Sequence, residues 1–290
     1  MADKTLGGQA VIEGVMVKSK RSMAVAVRMP NGKIAVQKID LNPLSVRYPV
    51  FGWPFIRGMV MLFEVLVLGV KALNYSAGMA SGEKEEASGW EIFITLAFSL
   101  ALAIFIFKFI PFITTQFISG RLGMLQGIWF NLVEGALKVL VFVLYILAIS
   151  QMQDVRTLFK YHGAEHQAIS CHEAGHKLNV KNVQNYSPIH RRCGTTFLFL
   201  VIFLSIIIYS FVPSSLMTWE KFAWRILLLP VIAGISYEVL KLGAKYEDNF
   251  LVNMMVMPGL WIQKMTTSKP DNKQVEVAIK SVEAVVKMDK

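Results

Sequence analysis

Five histidines and two cysteines occur in the 290 residues, and all of them fall between His162 and Cys193. The stretch "YHGAEHQAISCHEAGH" (161–176) holds four of the histidines and Cys171, and "HRRC" (190–193) holds the rest. His162, Glu165 and His166 read H-x-x-E-H. On a helix, positions i and i+4 share a face, so both imidazoles reach one ion, with Glu165 beside them to activate water. This is the inverted zinc-protease pattern, which needs a third ligand from elsewhere in the chain. Glu238 is one candidate, on an apolar segment near the depth of the histidine stretch. Glu173, seven residues beyond His166, is another. If His190 and Cys193 join the two histidines instead, the set closes into four ligands, which is structural rather than catalytic zinc. Histidines crowd into polar loops because apolar spans exclude them. Yet the polar residues 1–54 and the polar tail contain none. A divalent metal, zinc first, therefore explains the cluster better than polarity alone. His172 and His176 are expected at the surface or supporting the site, and Cys171 as a small buried residue.

The elements that must position these groups are mostly apolar. Hydrophobic residues make up 54% of the chain and charged residues only 17%. This composition points to a polytopic membrane protein. Four stretches are long and apolar enough to span about 30 Å of hydrocarbon: 92–118, 128–149, 196–212 and 222–240. The first should kink at Pro111. In the second, Glu134 and Lys138 can pair four residues apart. Residues 55–76 are apolar but interrupted by Arg57, Glu64 and Lys71, which suits an in-plane or re-entrant helix. A polar linker, 81–89, follows.

Residues 1–54 read as a small cytosolic β-containing segment. Asn31-Gly32 separates strands near 22–29 and 34–40, a hairpin signal. "GGQAVIEGVM" (7–16) is a further strand or a tight loop. Residues 90–265 form the transmembrane domain with its His-rich loop, 151–195. Residues 266–290 form an amphipathic tail, with Val275, Ile279, Val282 and Val286 at helical spacing. That face binds a protein partner or, more simply, packs on the protein's own cytosolic part. The fold class is thus mainly α, with about four transmembrane helices, one in-plane helix and a small β part.

Orientation follows from the basic residues: nine in 1–57, six in 151–195 and eight from Lys241 onward, against one in 119–127 and none in 213–220. Cytoplasmic loops carry the Lys/Arg excess. Both termini and the histidine loop are therefore expected in the cytosol, where the cysteines stay reduced. The same reading accounts for the net charge of +10. No nucleic-acid motif accompanies that charge, so nucleic acid is not an expected partner; the lipid bilayer is.

Three separated motifs, "GGQAVIEGVM" (7–16), "YHGAEHQAI" (161–169) and "HRRCGTTF" (190–197), resemble the YqhQ-like family of bacterial membrane proteins. That family is a domain of unknown function described as a predicted metal-dependent enzyme. The resemblance runs from Gly7 to about Met265. It implies a bacterial inner-membrane location. It also marks Glu13, His162, Glu165, His166, His190 and Cys193 as motif positions. Gln167 and Arg191 depart from the family pattern, which has Lys and Pro there, and neither change removes a candidate ligand. Two functions follow as expectations. One is a membrane-embedded metal-dependent hydrolase acting on a peptide or lipid. The other is a non-enzymatic protein with structural zinc that acts through partners in membrane-protein assembly or quality control. An open coordination position favours the first, and four protein ligands favour the second.

Overall fold

The structure is a computed structural model that describes residues 6–82, 88–122, 127–213, 215–246 and 249–290. Most of the 81–89 linker thus lies outside the described residues. The chain opens with four strands: β1 (Gly7–Val11), β2 (Gly14–Lys18), β3 (Ser22–Arg28) and β4 (Ile34–Asp40). They form one antiparallel meander in the order β1-β2-β3-β4. The expected hairpin is its second half. The glycine-rich motif supplies the first half, turning at Ile12-Glu13 with Glu13 at φ 48°. Between β3 and β4 only Gly32 takes positive φ (80°), and Met29 accepts from its N–H. The loop is therefore longer than a two-residue Asn-Gly turn.

Helices follow: α1 (Ile56–Ser81), α2 (Gly89–Ile104), α3 (Ile110–Leu122), α4 (Ile128–Ile149) and α5 (Gln153–Glu173). After these come α6 (Gly194–Tyr209), α7 (Thr218–Leu227), α8 (Leu229–Lys245), α9 (Phe250–Thr266) and α10 (Asn272–Met288). Short helical turns lie at Leu44–Arg47, Pro49–Gly52 and Val180–Val183. The sheet is covered on both faces. Val15, Val17, Ala24 and Ala26 pack against α5 and α10. The alternate residues Val11, Met16, Met23, Val25 and Val27 pack against Ala72, Leu68 and Met79 of α1. Strand side chains alternate between faces, so one sheet supports two cores.

One expectation is met here and one changes. The tail helix α10 buries Val275, Ile279 and Val282 against the sheet, and Ser281 donates to the Ala24 carbonyl at 3.0 Å. Its apolar face thus packs on the protein's own β part, the simpler of the two expected readings. The 55–76 segment is not a helix lying alone in an interface. It runs to Ser81, and its second half covers the sheet. Its interrupting charges have structural jobs: Arg57 pairs with Glu238, and Glu64 accepts the Leu44 N–H at 2.7 Å.

Among the described residues, Gly89–Arg121 and Ile128–Ile149 are each long and apolar enough to cross a membrane. The pair α7 and α8, bent by 42°, makes a third if it counts as one span. The chain is thus mainly helical, with two or three helices that suit a membrane. α6 is apolar but has 16 residues, and the 222–240 stretch breaks before Pro230. Where a kink at Pro111 was expected, a π-helical stretch, Phe105–Phe109, joins α2 and α3 within one continuous run, Gly89–Arg121. The proline has no N–H to give, and the ladder shifts register just ahead of it. α9 is an element that the span reading did not pick out within 90–265. Within the bundle, Glu134 is buried between Lys138 (2.6 Å) and Arg225 (2.9 Å).

Candidate metal centre

α5 carries the site. It begins four residues after α4 ends and closes with a Schellman cap: Gly175 at φ 76° donates to His172 O, and His176 N donates to Cys171 O. Gly163 lets it approach the end of α9, because a Cβ there would stand 2.2 Å from the Ser268 carbonyl. That approach brings backbone acceptors to the histidines. His162 Nδ1 lies 2.8 Å from Thr266 O, and His166 Nδ1 lies 2.6 Å from Pro188 O. A carbonyl has no proton to offer, so each Nδ1 is the donor, which turns Nε2 toward the other candidate ligands. Metal-binding histidines are held in this way by their other nitrogen.

The third donor is Cys193. It is the N-cap of α6, with Thr195 N donating to its sulfur at 3.4 Å. Its Sγ lies 3.2 Å from His162 Nε2. One ligand atom from each of His162, His166 and Cys193 lies within 4.8 Å of the other two. Two imidazoles and a thiol form a borderline-soft donor set that fits zinc.

The other expected ligands lie elsewhere. Glu238 is engaged by Arg57, whose Nε donates at 2.7 Å, and it accepts the Phe55 N–H at 3.3 Å. Glu173 pairs with Arg192 and stands 3.7 Å from His190 Nε2. Burial works against its charge, but the His190 hydrogen bond and Arg192 hold its carboxyl below the usual range. The His190 ring lies tilted against the His166 ring, centroids 5.6 Å apart, but its Nε2 is turned to Glu173 and its Nδ1 to Arg192 N. Neither Glu238, Glu173 nor His190 joins the three-donor group. Cys171 is fully buried and free.

Glu165 sits beside the cluster, outside it. Its Oε2 is 3.4 Å from His166 Nε2, and only 3% of the residue is exposed. Burial pushes its carboxyl above the usual range, against the pull of His162, His190 and Arg192. Gly8 of β1 makes its seat, since a Cβ there would lie 2.5 Å from Oε1. Glu13 plays a different part: it accepts from Tyr161 Oη at 3.0 Å and ties the β1–β2 turn to α5. All three sequence motifs therefore meet at one place.

Sequence reasoning missed Thr266, Pro188 and Gln263. Gln263 clamps His190, accepting its N–H at 2.7 Å and donating to its carbonyl at 3.0 Å. Thr266 and Pro188 serve through backbone carbonyls, which leave no trace in residue type.

Fold and cluster together define a class: apolar helices under a helix-covered sheet, with a His₂Cys group where the two meet. The chain belongs to the family described as Protein of unknown function (DUF1385), whose model matches residues 53–288. It is 33% identical over 299 residues to the Uncharacterized protein YqhQ of Bacillus subtilis (strain 168), covering 98% of this chain and 92% of that protein. No solved structure matches the chain.

Proposed function

We propose that this protein is a zinc-dependent hydrolase embedded in the bacterial inner membrane, with its site at the cytosolic face. The observation that carries the reading is the count of donors. Three side chains converge, a fourth ligand is lacking among the described residues, and a buried carboxylate stands beside them. Three protein ligands with an open position are the pattern of catalytic zinc. The turned-away His190 weighs against a closed structural set. His162, His166 and Cys193 would hold the ion. When bound, it supplies a Lewis acid that polarises a carbonyl and lowers the pKa of water. Glu165 takes the proton from water and returns it to the leaving group. Thr266 and Pro188 fix the imidazoles, and Gly8 keeps Glu165 in reach. The test uses purified protein in lipid nanodiscs and a peptide and lipid extract of bacterial membranes. Hydrolysis products should form, stop on chelation, and return with zinc. Products that form equally under chelation would refute the reading.

The proposed topology has four spans and cytosolic termini. β1–β4, α5 and α10 share one core, so they lie on one side of any membrane. Crossings between residues 40 and 153, and between 173 and 272, must each be even in number. Two and two satisfy this, with α2–α3, α4, α6 and α7–α8 crossing and α1 and α9 not. Met124→Cys should react with an impermeant thiol reagent in intact cells, whereas Ser81→Cys and Lys280→Cys should not. Labelling of Lys280→Cys would overturn the arrangement.

A further inference from the structure

We propose that the free edge of β1 is a docking strand for an extended polypeptide, which it lays beside Glu165 and the His₂Cys cluster. This assigns the substrate class of the hydrolase proposed above, and it rests on that reading.

The backbone register determines which groups face outward. Glu13 O accepts from Arg28 N, so residue 13 faces β3. The alternation along β2 then turns Gly14, Met16 and Lys18 toward β1, where their partners are Val11, Gln9 and Gly7. The N–H and C=O groups of Gly8 and Ala10 consequently point away from the sheet. No described residue bonds to them, and Gly8 is exposed.

Proteins normally blunt such edges with charges, proline or bulges. The opposite edge of this sheet obeys the rule: β4 exposes Lys38 and Asp40. β1 reads GGQAV, with no charge, no proline and no bulge. The unguarded edge is the one next to the chemistry. A Cβ at Gly8 would touch the Glu165 carboxyl, whose other oxygen is 3.4 Å from His166 Nε2. β1 therefore lies one carboxyl group away from the ligand cluster, and a strand added along it would lie one strand spacing, about 4.8 Å, further out. Strand addition takes its affinity from main-chain hydrogen bonds, which suits a hydrolase that accepts varied sequences. The hydrolytic step adds water across the peptide bond: oxygen goes to the carbonyl carbon, and the proton passes through Glu165 to the departing amine.

The probe is a fluorescein-labelled pool of random decapeptides, with a matched pool N-methylated at every residue so that neither edge of the strand can donate. Both are passed over the full chain in nanodiscs. The unmethylated pool should be retained about tenfold better, because methylation removes the donors the edge needs without altering the protein. Ala10→Pro deletes an outward N–H at an edge position where proline is tolerated. It should reduce retention by a similar factor while zinc content stays unchanged. Equal retention of the two pools, no retention of either, or an unaffected Ala10→Pro variant at wild-type zinc content would overturn the proposal. Glu165→Gln separates the two claims. Peptides that are retained but not cleaved by either form would leave docking standing and sink the hydrolase reading.

Discussion

Cys193→Ala should release zinc as fully as His162→Ala or His166→Ala, each weakening binding by more than about 100-fold. Loss of an outer partner of a ligand already costs about 10–100-fold, so loss of a ligand costs more. The cysteine matters as much as either histidine because only three donors converge. His190→Ala and Glu238→Gln should hold zinc within about tenfold of the parent, since neither joins that group. Zinc titration against a competing chelator measures all five variants. A His190→Ala variant that loses zinc as Cys193→Ala does would restore the closed four-ligand set and with it the structural reading.

Glu165→Gln should separate metal from activity. The amide keeps the shape of the carboxylate, so the seat made by Gly8 stays filled, and neither imidazole loses its carbonyl partner. Zinc content and thermal unfolding should match the parent. Hydrolysis of membrane-extract peptides should fall by about 10²–10⁴-fold, the usual contribution of a positioned acid–base group. Single-turnover assays on zinc-loaded protein check this. Unchanged turnover would remove Glu165 from the chemistry.

The legible parts of this protein were those in which one residue type answers to one physical demand. His162 and His166 stand at i and i+4 and share a face as the helix requires. Helix α4 matches the apolar run at 128–149, and its only charges, Glu134 and Lys138, lie close enough to pair. Cys193 was visible as a candidate, but the choice among Cys193, Glu173 and Glu238 was not. That choice depends on which cation each carboxylate meets, and Arg57 and Arg192 are brought to them only by tertiary packing. The strands were half legible for a related reason. β3 and β4 were read from the Asn-Gly turn between them, whereas β2 is buried along its length and shows no clean alternation, so the glycine-rich motif did not look like two strands. The second half of α1 read as a membrane surface helix because its apolar face is equally suited to a sheet. Composition records that a face must be covered, but not by what.

The most direct test is X-ray absorption at the zinc edge of the purified full chain. Two nitrogen neighbours at about 2.0–2.1 Å and one sulfur at about 2.3 Å, with one further light atom, are the predicted first shell. The sulfur should vanish in Cys193→Ala reloaded at high zinc. A shell of three nitrogens and one sulfur, or one with no sulfur, would contradict the three-donor site on which the proposed function stands.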